Sequence, residues 1–137
     1  MPSFHSPDRL AVAFDDDRAV ANAGLVLPAL LAQRLGVQQL ADALIDLGER
    51  PGAAHPGSKA LTLVHSLLVG GDCIDDAELL RAGSTVAVLG HRVLAPSTLG
   101  TFLRAFTFGH VRQLDRLAEQ VLGLGPGRQE PDPVMSR

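Results

Sequence analysis

Two groups of closely spaced carboxylates are the first residues in this sequence whose types suggest chemistry. One is the run DDD at residues 15–17, and the other comprises Asp72, Asp75 and Asp76 beside Cys73. Carboxylates bind Mg²⁺ and support phosphoryl transfer when they converge from separate parts of a rigid scaffold. Adjacent side chains in an extended segment point in different directions, so the first group is interpreted as a solvated lead-in. Asp75 and Asp76 are interpreted as capping residues at the start of a short helix, and no metal site is predicted.

The histidines and the single cysteine form the second chemical set. A zinc site needs four ligands at characteristic spacings. No two histidines are close together in the sequence, and a single cysteine cannot complete a standard zinc-binding pattern. His65 is interpreted as a partly exposed or hydrogen-bonded side chain. Cys73 has no partner for an internal disulfide, which favours a reducing compartment. No nucleophile elbow, P-loop or dinucleotide fingerprint occurs, so neither a cofactor nor an independent enzyme is expected. The histidines stand at positions 5, 55, 65, 91 and 110.

A third set combines short hydroxyl side chains with arginines in the C-terminal third of the chain. Thr98, Thr101 and Arg104 lie on the side of a predicted helix that is opposite to its apolar residues. Short hydroxyl side chains allow a helix to approach a DNA groove, while arginine reaches phosphates or guanine edges. The candidate DNA contacts are Arg92, Ser97, Thr98, Thr101, Arg104, Arg112 and Arg116.

An ordinary surface helix explains the same residues without DNA. Asp115 and Glu119 each follow an arginine by three positions, and such spacing is typical of weak surface ion pairs. Pattern alone leaves both interpretations of Arg112 and Arg116 open.

The elements that must position this set are helices. Apolar residues at 99, 102, 103 and 106 have the spacing of one helix face after Pro96, and those at 111, 114, 118, 121 and 122 predict a last helix that ends at Gly123. Residues 94–106 are interpreted as the second half of a helix-turn-helix-like pair near the C-terminal third of the chain.

Further helices are predicted upstream. Leucines at 27, 30, 31 and 35 line one face of a helix between a cap at Asn22 and a stop at Gly36, and a second helix continues to Gly48. Ser58 caps a third helix with apolar residues at 61, 64, 67 and 68, and a short helix runs through residues 79–81. Residues 1–20 are expected to form an arm or a single strand, and residues 123–137 a disordered tail. The predicted fold is an all-α, multi-helix domain at residues 21–122.

Composition and charge exclude several classes of protein. The chain has 137 residues, of which 46% are hydrophobic and 20% charged, as expected for one globular domain. No apolar run is long enough for a membrane span and no secretory signal is recognised, so a cytoplasmic location is expected. The net charge is −3. Residues 92–128 nevertheless carry five arginines against Asp115 and Glu119, a local charge of +3 that favours an anion-facing surface.

Several phrases of the sequence, in this order, resemble the N-terminal region of DDE-type insertion-sequence transposases of the IS4-like superfamily. They are ANAGLVLPALLAQRLG at 21–36, HPGSKALTLVHSLLVGGDCIDDAELLRAG at 55–83, APSTLGTFLRAFTFGHVRQLD at 95–115, and the Gly-Pro-Gly after the last helix. The resemblance covers residues 20 to about 127. It implies a helical region that binds the terminal inverted repeats of the element, followed by an RNase H-like domain whose three carboxylates hold Mg²⁺.

The sequence departs from the family after the last helix. GLGPGRQ is followed by EPDPVMSR, without the apolar strand on which the first catalytic carboxylate stands in the family. Asp132 is flanked by prolines, which are incompatible with a central strand. We therefore expect a truncated DNA-binding fragment without a cofactor, cleavage activity or strand-transfer activity, associated with the bacterial nucleoid. The alternative is a helical interaction or oligomerisation module of the same transposase without independent DNA binding.

Overall fold

The computed structural model describes residues 20–123, and every regular element in that range is helical. The predicted all-α class is therefore confirmed. The predicted arm at residues 1–20 and tail at 123–137 lie outside the described residues except for Val20 and Gly123, as do residues 15–17 and Asp132. The elements are a 3₁₀ turn (Ala23–Leu25), α1 (Val26–Leu35), α2 (Val37–Leu44), α3 (Pro56–Leu68), a 3₁₀ helix (Ile74–Arg81), α4 (Thr85–Leu89), α5 (Pro96–Arg104) and α6 (Phe108–Val121).

Gly36 joins α1 to α2 and turns the chain within one residue. Its φ of 65° lies in the left-handed region, which glycine adopts without a steric penalty. The Gly36 N–H donates to the carbonyl of Gln33 at 3.1 Å, and the Gly36 carbonyl accepts from the N–H of Leu40 at 2.9 Å. The predicted helix stop at Gly36 is confirmed, whereas the second helix ends at Leu44 and not at the predicted Gly48, because the chain becomes extended at Ile45.

The apolar face predicted for α1 is not the side of the helix that packs against the rest of the domain. The helix begins at Val26 and not directly after Asn22, which has a φ of 58° and makes no side-chain capping bond. Leu25 and Ala29 are the residues that this segment buries, against Leu80 and its neighbours. Periodicity reveals an apolar stripe but does not show whether another part of the chain covers it. The four leucines of the predicted face are between 39% and 76% exposed: Leu27, Leu30, Leu31 and Leu35.

Helix α3 packs against α2, the 3₁₀ helix and α5, and it begins earlier than predicted. Pro56 occupies the first turn, where proline costs no hydrogen bond. Ser58 is therefore not the cap. It is buried inside the first turn, where its hydroxyl accepts a hydrogen bond from the Gln38 side-chain amide at 3.1 Å.

The buried side of α3 is largely polar, contrary to the predicted apolar face. Thr62, His65 and Ser66 are buried beside Leu61, whereas the predicted residues at 64, 67 and 68 are exposed. Polar side chains are tolerated in a core when partners satisfy them. The Thr62 hydroxyl, for example, donates to the carbonyl of Ser58 at 2.8 Å.

Helix α5 is held as predicted by its apolar side. Leu99 is buried against Ala77 and Leu94, and Phe102 is buried against residues of α2. Leu103, also predicted to face inward, is exposed. The core contacts fix the rotation of α5, so its remaining side is turned away from them.

Helix α6 follows α5 after three residues but packs on α2. Gln113 joins the two segments, because its side-chain amide donates to the Asp46 carbonyl at 3.1 Å and its oxygen accepts from the Asp46 N–H at 3.0 Å. Thus α5 and α6, although close in the sequence, are anchored on different parts of the domain. Between residues 20 and 123, no helix combines the length and apolarity that a bilayer crossing needs.

Candidate functional site

The side of α5 away from the core carries four of the predicted DNA contacts. Ser97 and Arg104 are exposed, while Thr98 and Thr101 are half-buried. The Thr101 hydroxyl donates to the carbonyl of Ser97 at 3.1 Å, and the Arg104 guanidinium lies 3.5 Å from the Thr101 hydroxyl. Ser97, Thr101 and Arg104 therefore form a polar row along one side of the helix.

An open groove of about 670 Å³ runs beside this row. Ser97, Thr101 and Arg104 line one wall, and Cys73 and Asp75 at the start of the 3₁₀ helix line the other. Asp75 brings a negative charge to the groove that Arg104 also lines. This groove therefore contains a basic and an acidic group and has no clear preference for anions.

A second pocket, of about 310 Å³, lies where the first turns of α3 and α5 meet, and we call it the α3–α5 pocket. It brings together two of the predicted contacts, Arg92 and Thr98, with three side chains that the sequence analysis did not select. Its lining residues include His55, Ser58, Lys59, Arg92, Leu94 and Thr98. The phrase HPGSK at 55–59 carries the signal for the three missed residues, because it places two basic groups and a hydroxyl at the start of a helix.

Lys59 is the least expected member of this pocket, because it is only 4% exposed. Its ammonium donates to the carbonyls of Gly52, at 2.6 Å, and Ala54, and lies 5.5 Å from the centre of the Phe102 ring. Burial lowers the pKa of Lys59. Among residues 20–123, no carboxylate forms a salt bridge with it. The domain therefore holds a buried positive charge whose partners are neutral.

Arg112 and Arg116 on α6 are exposed and line neither the groove nor the pocket. The Arg112 guanidinium lies 5.6 Å from the centre of the Phe108 ring, a cation–π arrangement. In the described part of the chain neither arginine forms an ion pair with Asp115 or Glu119. The structure therefore places these two candidates apart from the other five.

Two histidines form a close pair that the sequence spacing did not predict. His65 Nδ1 and His91 Nε2 are 2.9 Å apart, and the rings stack with their centres 5.0 Å apart. His91 Nδ1 lies 3.0 Å from the carbonyl of Arg92, which can only accept a hydrogen bond. His91 Nδ1 is therefore protonated, and in the neutral ring Nε2 accepts the hydrogen bond that His65 Nδ1–H donates.

The environment of this pair favours neutral rings. Burial and the neighbouring His91 lower the pKa of His65 to about 4, and burial also lowers the pKa of His91. Among residues 20–123, no cysteine or carboxylate joins the pair as a third metal ligand. The pair is therefore interpreted as a structural contact between α3 and the segment before α5.

The acidic group around Cys73 caps the 3₁₀ helix. One Asp76 carboxylate oxygen accepts the N–H groups of Asp72, at 2.9 Å, and Cys73, at 3.1 Å. These hydrogen bonds lower the pKa of Asp76. The predicted capping role is confirmed for Asp76, whereas Asp75 instead lines the groove beside α5.

Comparisons of the chain with protein-family models, with curated proteins and with solved structures find no match. The relation to DDE transposases therefore stays a prediction from the sequence.

Proposed function

We propose that residues 20–123 form a DNA-binding domain in which α5 faces the duplex. The supporting observation is the fixed rotation of α5: Leu99 and Phe102 are held in the core, while Ser97, Thr101 and Arg104 form a polar row on another side. Hydroxyl and guanidinium groups in such a row suit contacts to phosphates and base edges. The resemblance to transposases extends the proposal to a role in recognising the ends of an insertion sequence.

The dimensions of α5 fit this proposal. An α-helix with its side chains is about 10–12 Å across, which fits the width of about 12 Å of the B-DNA major groove, and the nine residues of α5 extend for roughly 13 Å. Pro96 and Ala95 at its start are small, so the N-terminal turn can approach the bases closely. The positive charge of residues 92–128 offsets the acidic remainder of the chain at this end.

The test is a mobility-shift titration with duplexes carrying the inverted repeats that flank the gene and with random duplexes, each at two salt concentrations. Binding should favour the repeats and weaken steeply with salt. Arg104→Gln should lower the affinity by about 1–3 kcal/mol, since it removes one arginine contact. Arg81→Gln is the matched control, because Arg81 already pairs with Glu78 at 3.0 Å on the 3₁₀ helix.

Two results would overturn the proposal. One is the lack of any binding to duplex DNA at low salt. The other is an equal effect of Arg104→Gln and Arg81→Gln, because binding would then not depend on the polar row of α5.

Self-association is a second candidate function, and it has its own supporting observation. An apolar groove of about 370 Å³ lies between α3, α5 and α6 and is lined entirely by apolar residues, among them Val64, Leu103 and Leu114. The exposed leucines of α1 form a second uncovered apolar surface on the same chain. The proposed occupant of the groove is therefore α1 of a second copy.

Light scattering over a range of concentrations distinguishes this candidate from DNA binding. A concentration-dependent oligomer that Leu114→Glu abolishes, and that added DNA leaves unchanged, supports self-association. A monomer at all concentrations rules it out.

A further inference from the structure

We propose that the α3–α5 pocket binds one phosphate group, and that the backbone of bound DNA supplies it. The source of the phosphate rests on the function proposed above. The preference of the pocket for an anion stands on the structure of the pocket alone.

The side chains that line the pocket are either basic or neutral. Lys59 and Arg92 supply positive charges and His55 supplies an imidazole, and among residues 20–123 no aspartate or glutamate lines the pocket. The groove on the other side of α5 differs in this respect, because Asp75 lines it together with Arg104. Of the two concave surfaces beside α5, the α3–α5 pocket is the one suited to a negative ligand.

Lys59 gives the pocket a positive charge in a position that hydrogen bonds fix. Its ammonium is anchored by the carbonyls of Gly52 and Ala54 and is almost completely buried. Neutral carbonyls satisfy its hydrogen bonds but do not neutralise its charge, so part of the cost of burying it remains. An anion in the adjacent pocket would reduce that cost.

Hydrogen-bond donors with the geometry for an oxyanion are available at the start of α5. The first backbone N–H of this helix with an acceptor in the helix is that of Leu99, which donates to the Ala95 carbonyl at 3.1 Å. The N–H group of Thr98, which lines the pocket, precedes it and has no acceptor in the helix. Together with the Thr98 hydroxyl it gives the pocket two donors at the positive end of the helix dipole.

Helix α3 contributes less, because part of its N-terminus is already occupied. The Gly57 N–H donates to the Asp42 carboxylate at 2.8 Å. The Ser58 hydroxyl, although engaged with Gln38, lines the pocket and retains the capacity to donate. The volume of about 310 Å³ holds a phosphodiester group and several waters, since each water occupies about 30 Å³.

The test uses the full chain and inorganic phosphate as the probe. Backbone amide resonances are followed while phosphate is added, and a parallel titration with chloride is run at the same ionic strength. The resonances of Ser58 and Thr98, which line the pocket, should shift with phosphate and not with chloride. Binding of the inverted-repeat duplex is then measured for each variant over a range of salt concentrations.

Two variants change polar groups of the pocket without altering the core. Arg92→Gln removes the exposed guanidinium, and His55→Asn removes the imidazole while tolerating the left-handed φ of 53° at this position. Each should weaken phosphate binding at least fivefold, and Arg92→Gln should reduce the salt slope of DNA binding by about one. Arg81→Gln is again the control, because this arginine lies outside the pocket and pairs with Glu78.

The outcomes separate the pocket from the DNA-binding function. Loss of both phosphate and duplex affinity in the two variants supports the proposal. Phosphate binding without any effect of the variants on duplex binding overturns DNA as the source and indicates a small phosphorylated ligand. Equal shifts with phosphate and chloride overturn the pocket itself, and the Arg104→Gln experiment still decides whether the domain binds DNA.

Discussion

Acidification should destabilise this domain through the buried histidine pair. His65 is only 1% exposed and donates from Nδ1 to His91 Nε2. Protonation of His91 Nε2 would bring two N–H groups face to face and would also place a charge in the core. Folding is therefore coupled to keeping both rings neutral.

The magnitude follows from the pKa of His65, which falls from 6.5 to about 4 in the folded domain. A histidine with a lowered pKa stabilises the fold above pH 6.5, and this contribution is lost as the pH falls towards 4. At pH 5, roughly 1.5 units below the unfolded value, the loss is about 2 kcal/mol, and at pH 4 it is about 3 kcal/mol. His91 acts in the same direction, because burial lowers its pKa as well.

The assay is urea denaturation followed by circular dichroism at pH 7.5, 6 and 5. His65→Asn keeps a side-chain N–H near the position of Nδ1 but removes the titrating ring, so its stability should depend less steeply on pH. His55→Asn, at an exposed histidine, should retain the slope of the unaltered protein. The Asp76 cap does not interfere, since its lowered pKa places its effect below pH 4. An unaltered protein that loses under about 0.5 kcal/mol between pH 7.5 and 5 would refute this reasoning.

Other substitutions test the packing of the domain. Gly57→Ala should destabilise it by about 1–3 kcal/mol in urea denaturation, because a Cβ there would lie 2.5 Å from the Gln38 carbonyl oxygen. Gly109→Ala is the matched helical substitution with nothing within 4 Å, and it should stabilise the domain by about 0.5–1 kcal/mol. Opposite signs are expected, and a Gly57→Ala variant that is as stable as the unaltered protein would contradict the packing around Gly57. Thr62→Val should cost about 1–3 kcal/mol, since the buried Thr62 hydroxyl also accepts the N–H of Leu94 at 3.4 Å. An unchanged unfolding midpoint would show that this hydroxyl contributes nothing.

Features that depend on neighbours in the sequence were predicted well. The corner at Gly36 requires only a glycine between two helical patterns, and the rotation of α5 follows from the spacing of Leu99 and Phe102. Both are local properties of the backbone and of the helical period.

Features that depend on contacts between distant segments were not predicted. The leucine stripe of α1 is real, but this chain buries Leu25 and Ala29 instead, a choice made by the surfaces available in α4 and the 3₁₀ helix. The polar interior of α3 arises because His65 finds a partner 26 residues away. No periodicity in one segment can reveal such a partner.

The same distinction between local features and contacts of distant segments applies to the candidate site. The hydroxyl and arginine row of α5 lies within one helix and was visible in the sequence. The α3–α5 pocket combines residues 55–59 with Arg92 and Thr98, so it required the tertiary structure. Arg112 and Arg116 show the converse, because closeness in sequence to α5 did not bring them to either concave surface.

The burial of Lys59 makes the reactivity of its side chain a measure of local opening of the fold. It is the only lysine in the sequence, so the protein has a single ε-amine, and the folded domain encloses that amine beneath Gly52 and Ala54. An amine-reactive reagent should therefore modify this side chain only in molecules whose segment before α3 has lifted. The rate of acylation, read by peptide mass mapping, would measure how often that segment detaches from the rest of the fold.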